Sequence, residues 1–361
     1  ADRPARQHAR QKKMSESFLV AATERASGAG TDALTALMAN TGLTGGGLLD
    51  APGFWEKESG APLLRRNAGF FTRGGIPDAL RRRLATWPAL AGVSSSAAVA
   101  AGVCDDEAAF RIFLRDAERT FQDEGHRQAF MELLKRVWPE NRDYHQGLGY
   151  VCSLLMLVFD SDTTQAMLLQ LTRAPKYTPG YWRAAPEPYV RDAMVYARLV
   201  QEREPEVAKL LHAACIVPEA YASKWFIGLC VHVLPFHALF DFVEGFLKEG
   251  YVFLFKFALA LVAATKERLL TFKPTDVNKI LEVLRLDVQT QYSDDHEGGT
   301  FFSGIVKAAF LVELDVAHVD RLREEEGVVL AEKMRKTRER EAQMAAEDSD
   351  DEIVFSDEED D

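Results

Sequence analysis

Three short groups of residues hold the side chains best suited to chemistry. Asp116 precedes Arg119 by three positions in Asp116-x-x-Arg119-Thr120-Phe121, within i,i+3 reach on a helix. That spacing lets the carboxylate orient a guanidinium at the C-terminal end of an amphipathic helix, where it can project into a partner. Guanidinium stays cationic and offers several donors in a planar fork. Tyr144-x-Gln146-Gly147 supplies a neutral amide that can both accept and donate. Gly147 allows close backbone approach, and Tyr144 is expected to pack under the loop. Ile76-Pro77-x-x-x-Arg81 holds a third candidate, in the basic run Arg81-Arg82-Arg83. Taken singly, Arg119 reads as a surface ion pair with Asp116, and Arg81 as part of a solvated basic face.

Other chemistries lack their residues. Cys104, Cys152, Cys215 and Cys230 form no CxxC pair, so zinc and thioredoxin-type chemistry are not expected. Buried reduced thiols, suited to a cytosolic protein, are. His232 and His237 are five apart with Pro235 between them and share no helix face for a metal. His126 and His145 read as solvated surface histidines. Thr44-Gly45-Gly46-Gly47 lacks the Gly-Lys-Ser/Thr ending of a phosphate loop, and no Gly-x-Ser-x-Gly occurs.

Helices must carry these groups. Gly75-Ile76-Pro77-Asp78 signals a helix start, with a helix over Ala79–Trp87. Asp105-Asp106-Glu107 opens the next, with Phe110, Phe113, Leu114 and Ala117 on its apolar stripe. Helical periodicity continues over Arg127–Val137, Gly149–Phe159, Thr163–Leu171, Pro188–Gln201, Glu206–Ala213, Glu219–Leu234, Phe236–Lys248, Val252–Ala263 and Thr275–Leu286. Strict alternation is too rare for a sheet. The expected fold class is all-α. One further helix is expected from Phe302 to Ala346, its Arg323–Glu341 part solvated and laced with i,i+4 ion pairs.

The 361 residues divide into a loosely ordered lead-in over 1–69, a helical domain over 70–270, a C-terminal helical extension over 271–346 and a disordered acidic tail over 347–361. A short helix over Thr31–Met38 is expected within the lead-in. The tail carries ten acids; taking them from the net charge of −12 leaves −2, so no basic footprint for nucleic acid remains. Ser349 and Ser356 each precede three acids, a context for an acid-directed kinase, although a solubilising tail is the simpler reading. The apolar runs Val151–Phe159, Trp225–Phe236 and Tyr251–Ala264 fall short of the roughly 20 residues a membrane-spanning helix needs. Ala1–Lys13 is polar and basic, so no signal peptide is expected. The first residue is not Met, which fits a piece of a longer protein.

In joint order and spacing the three motifs resemble the signature of the TBC domain of Rab GTPase-activating proteins. Pro179-Gly180-Tyr181-Trp182, Tyr221-x-x-x-Trp225-Phe226-x-x-Leu229, Leu234-Pro235 and Phe240-Asp241 are similar to its later segments. The resemblance spans Gly74–Leu270. It implies an all-helical TBC fold and a GTP-bound Rab-family small GTPase as partner. It implies Arg119 and Gln146 as the catalytic pair, with Asp116, Tyr144, Gly147 and Arg81 in support. A small GTPase hydrolyses GTP slowly because charge developing on the phosphates is incompletely neutralised, and an arginine delivered in trans is worth roughly 10³–10⁵ in rate, about 4–7 kcal/mol. By the resemblance Gln146 positions the attacking water. No cofactor is then needed, since GTP and magnesium arrive with the GTPase. The expected setting is cytoplasmic, with peripheral membrane association through the GTPase in vesicle trafficking. Departures mark a divergent member: Phe113 stands for the usual Ile, Gln122 for the Pro after Arg-Thr-Phe, Gly149 for Asn, Asp143 for Gly, and Trp87 comes two residues late. The rivals are a TBC-like Rab-binding scaffold without catalysis and a helical adaptor with no GTPase partner.

Overall fold

Polar caps start several of the helices that apolar spacing predicts. Asp106, Asp123 and Asp160 each accept a hydrogen bond from a backbone N–H in the first turn of the helix that follows. The computed structural model describes residues 46–61, 76–93, 106–286 and 298–350. The expected Thr31–Met38 helix, Cys104 and all residues after Asp350 lie outside them.

A 3₁₀ turn at Leu48–Asp50 leads to α1 (Phe54–Lys57), α2 (Asp78–Leu84) and α3 (Trp87–Ala91). The single helix expected over Ala79–Trp87 is thus two, since Pro88 lies in the first turn of α3 and favours a new start there. Next come α4 (Glu107–Thr120), α5 (Glu124–Asn141), α6 (Gln146–Val158), α7 (Ser161–Arg173), α8 (Glu187–Arg203) and α9 (Pro205–Ala213). The chain continues through α10 (Ser223–Phe226), α11 (Phe236–Glu249), α12 (Tyr251–Leu269), α13 (Val277–Arg285), α14 (Gly298–Leu311) and α15 (Val316–Asp350). The fold is all-α. Among the described residues β pairing is limited to an isolated antiparallel bridge between Gly46 and Phe159.

Helices α4, α5, α6 and α7 pack in sequence, and α12 is covered by α11 and α14. α12 is buried on most of its surface from Val252 to Val262. Phe242 meets Phe257 at 4.8 Å and Phe226 meets Phe255 at 5.4 Å, both edge to face. Burying each such ring is worth roughly 1.5–3 kcal/mol. No described helix is long and apolar enough to cross a membrane.

The helix expected over Glu219–Leu234 is absent. A 3₁₀ turn at Pro218–Ala220, the single turn α10 and a series of turns replace it. Leu229 and Cys230 take left-handed φ of +44° and +58°, while Trp182 Nε1 donates to Ile227 O at 3.0 Å. Trp225 to Val231 are buried without a break, so tertiary packing overrides the helical spacing that their sequence offers.

The helix expected over Phe302–Ala346 is also two. Asp315 Oδ1 accepts from Ala317 N at 3.0 Å and restarts the chain as α15, which runs on to Asp350, past the expected end. α14 and the start of α15 share the main core: Phe302, Ile305, Val306, Val319 and Leu322 are buried in it. Asp192, fully buried on α8, accepts from Arg323 of α15 at 3.0 and 3.2 Å and from Tyr181 Oη at 2.5 Å. Further along, Glu332 pairs with Lys336 and Arg335 with Glu339, the solvated i,i+4 pattern expected there. Cys152 and Cys230 are buried free thiols; Cys215 corrects the expectation, being exposed where the chain leaves α9.

Candidate functional site

α4 ends where its sequence stops offering an apolar face. Ala109, Phe113, Asp116 and Ala117 form its buried stripe. Leu114, expected there, is 45% exposed. Phe121 then turns into the core beside Phe130, its N–H bonded to Ala117 O at 2.9 Å. That turn leaves Arg119 in the last helical turn with its side chain 65% exposed.

α6 starts from a short, tightly held loop. Arg142 closes α5 in the left-handed region at φ +48°, a conformation glycine ordinarily supplies. Asp143 then fastens the loop, accepting from Tyr144 N and Ala184 N, both at 2.8 Å. His145 caps α6, its Nδ1 accepting from Gly147 N at 3.0 Å. Gln146, the first residue of the helix, is half-buried, and its amide makes no hydrogen bond to another described residue.

A single buried bond joins the two elements. Tyr144 Oη donates to Asp116 Oδ2 at 2.7 Å, while Asp116 Oδ1 lies 3.6 Å from Arg119 Nη1. Phe113 supports the Tyr144 ring at 5.1 Å, so the larger residue in place of Ile fills space beneath the tyrosine. Gly149 completes the fit: a Cβ there would sit 2.5 Å from Tyr144 Oη. A Cβ at Gly147 would sit 2.5 Å from Ile227 Cγ2 and 2.8 Å from Ile227 O, which is the close approach expected of that glycine.

The electrostatics link the same residues. Burial raises the Asp116 carboxyl above its ordinary value, opposed by the Tyr144 bond and the charge of Arg119. Burial lowers His145, against the field of Asp116. Tyr150, one turn beyond Gln146, is raised by burial and by Asp116 and lowered by Arg119. Asp116, Arg119 and Tyr144 are thus linked where α4 meets the start of α6, and Gln146 and Gly147 follow Tyr144 directly in the chain.

Arg81 does not join it. Its guanidinium makes a two-pronged pair with Asp50 at 2.5 and 2.6 Å, after a turn whose Gly47 abuts Leu157 and Val158 at the opposite end of α6 from Gln146. The neighbouring Arg83 is the half-buried anchor of this run, held by Asp241 at 2.5 Å and by Glu244, both on α11.

His126 corrects the reading of a solvated histidine: it is 12% exposed, with Nδ1 2.8 Å from the fully buried Glu58. Glu58 carries no sequence signal, being one acid in a polar stretch. Asp143 and Gly149 were visible only as departures from the expected motifs. Among the described residues no group of three His, Cys, Asp or Glu could hold a metal.

The family model of the Rab-GTPase-TBC domain matches residues 83–270. Mouse Carabin is 29% identical over 207 residues, covering 53% of this chain and 46% of Carabin. The Drosophila melanogaster ecotropic viral integration site 5 ortholog is 25% identical over 287 residues, covering 75% of this chain and 33% of its own length. The chain thus spans less than half the length of either relative. Among solved structures, the Chlamydomonas flagellar RabGAP TBC domain superposes with a TM-score of 0.51 at 18% identity, over 66% of this chain and 81% of that one, a likeness of fold. More than half of the sequence lies within the matched domain, and the chain belongs to the Rab-GTPase-TBC domain family.

Proposed function

We propose that the protein accelerates GTP hydrolysis by a Rab-family small GTPase in its GTP-bound form, with Arg119 and Gln146 delivered in trans. The observation that supports this reading is the buried Tyr144–Asp116 bond, which ties the exposed Arg119 to the loop that leads into Gln146. Arg119 is exposed and Gln146 has an uncommitted amide, while Asp116 and Tyr144 lock the two helix ends together. A cation and a neutral amide suit phosphoryl transfer, which needs charge neutralisation and an oriented water rather than a covalent nucleophile. On this reading GTP and magnesium come with the partner, the chain holds no cofactor of its own, and membranes are reached through the GTPase in vesicle trafficking. Asp116, Tyr144 and Gly147 act in support; Arg81 does not.

The test is phosphate release from a panel of GTP-loaded Rabs. Against a Rab that the wild type accelerates, Arg119→Ala should lose about 10³-fold or more and Gln146→Ala about 10²-fold, both with unchanged melting. Binding without acceleration by the wild type would make the chain a scaffold, and binding to no Rab would remove the GTPase from the account.

A further inference from the structure

The loop that follows Arg119 is held by residues far outside the matched domain. The α1 segment, Gly53–Ala61, lies across it. Glu58 is fully buried and accepts from Gln122 N at 2.7 Å, from Asp123 N at 2.9 Å, and contacts His126 Nδ1 at 2.8 Å. In return Gln122 Oε1 accepts from Gly60 N at 3.1 Å, and Lys57 pairs with Asp123 at 3.3 Å. Phe54, 1% exposed, lies 5.5 Å from the His126 ring.

We propose that Glu58 is a positioning residue for Arg119, reaching it through the backbone of Gln122 and Asp123. Proline has no N–H to give. Gln122, which stands where the resemblance leads one to expect Pro, supplies a donor that Glu58 uses. A ring that would stiffen the loop from within is thereby replaced by a buried carboxylate that fastens it from outside. A buried carboxylate bonded by two backbone amides tolerates little displacement, because an unpaired buried charge costs far more than the bond contributes. The direction of Arg119 is consequently fixed on both sides, by Asp116 within α4 and by Glu58 beyond its end.

This inference rests on Arg119 acting in trans, and the experiment separates the two. The full chain would be compared with Glu58→Ala, Glu58→Gln, Arg119→Ala and the Glu58→Ala/Arg119→Ala double variant. Hydrogen exchange is read at residues 121–123, and GTP hydrolysis is read as kcat and KM with a Rab the wild type accelerates. Glu58→Ala should speed exchange at 121–123 while α6 and α12 stay protected. It should lower kcat about tenfold or more and leave KM within about twofold, since the docking surface is unchanged. Glu58→Gln, which keeps an acceptor oxygen, should fall between. The double variant should be no slower than Arg119→Ala alone, because Glu58 acts through that side chain.

Unchanged exchange at 121–123, an unchanged kcat, or a double variant slower by the product of the two losses would each overturn the proposal. Global loss of protection in Glu58→Ala, with kcat per folded molecule of Glu58→Gln equal to wild type, would reduce Glu58 to a stability residue and overturn it too. If the wild type accelerates no Rab, the functional reading fails instead. The exchange data then decide alone whether Glu58 holds the loop.

Discussion

The face around Arg119 and Gln146 and the aromatic interior beneath α8 and α12 are held together by different forces. On the first, a few directed bonds fix where side chains point: Tyr144 to Asp116, Asp143 to two backbone amides, Glu58 to two more. In the second, Tyr196 lies within 6.3 Å of Tyr221, Trp225 and Phe226, and Phe242 lies against Phe257. Ring burial contributes most of the stability there and is non-directional. Hydrogen bonds add only about 1 kcal/mol each but set direction. The molecule separates the two duties, with mass in one region and aim in the other.

The sharpest way to break that division is to damage the interior. Phe226→Ala should destabilise the protein by about 3–5 kcal/mol in denaturant unfolding, with the stimulated rate per folded molecule unchanged; a lower rate at full folding would show that the interior also sets direction. Gly147→Ala strikes the seam between the regions, because its Cβ collides with Ile227. It should cost about 1–3 kcal/mol and lower the rate as well, since Gln146 must move with the helix start. A variant that is less stable but equally fast would place Gln146 outside the chemistry.

Tyr144→Phe should cost about 1–2 kcal/mol near neutral pH, by leaving a buried carboxylate with one donor fewer. Its pH dependence identifies the partner. Burial already raises Asp116 from 3.8, and losing the Tyr144 bond raises it further. A carboxyl raised on folding stabilises the native state fully below its unfolded value and loses that contribution as pH rises through the folded value. The gap between wild type and Tyr144→Phe should thus be small below 3.8 and widen upward. A gap constant with pH would assign the bond's value to packing. At the bottom of the scale, Arg335→Ala on the solvated part of α15 should leave both melting and rate unchanged, although Arg335 helps hold Glu332 at about 2.

The helices were legible where caps and one-sided apolar spacing coincide, as at Asp106, Asp123 and Asp160. They were not legible where burial is continuous, as from Trp225 to Val231, since contacts from other elements there decide the backbone and the apolar spacing does not. Arg119 and Gln146 are singled out because each sits in a short local motif. Glu58 is not: its partners Gln122 and Asp123 are 64 and 65 residues away, and nothing in a run of polar residues marks one acid for burial. Arg81 shows the converse case: motif position named it, while its partner Asp50, 31 residues away, carries no sequence signal.

The interlocking of α1 with the Arg119 loop and of α14 with α12 bears on how the protein can be cut. A piece trimmed to residues 83–270 would lose the carboxylate that holds Gln122 and Asp123, and would bare the faces of α11 and α12 against which α14 packs. Such a fragment keeps every signature residue from Asp116 to Gly147, yet it would be sticky and its arginine loosely aimed. The hydrophobic core of this chain therefore extends beyond the stretch by which its family is recognised.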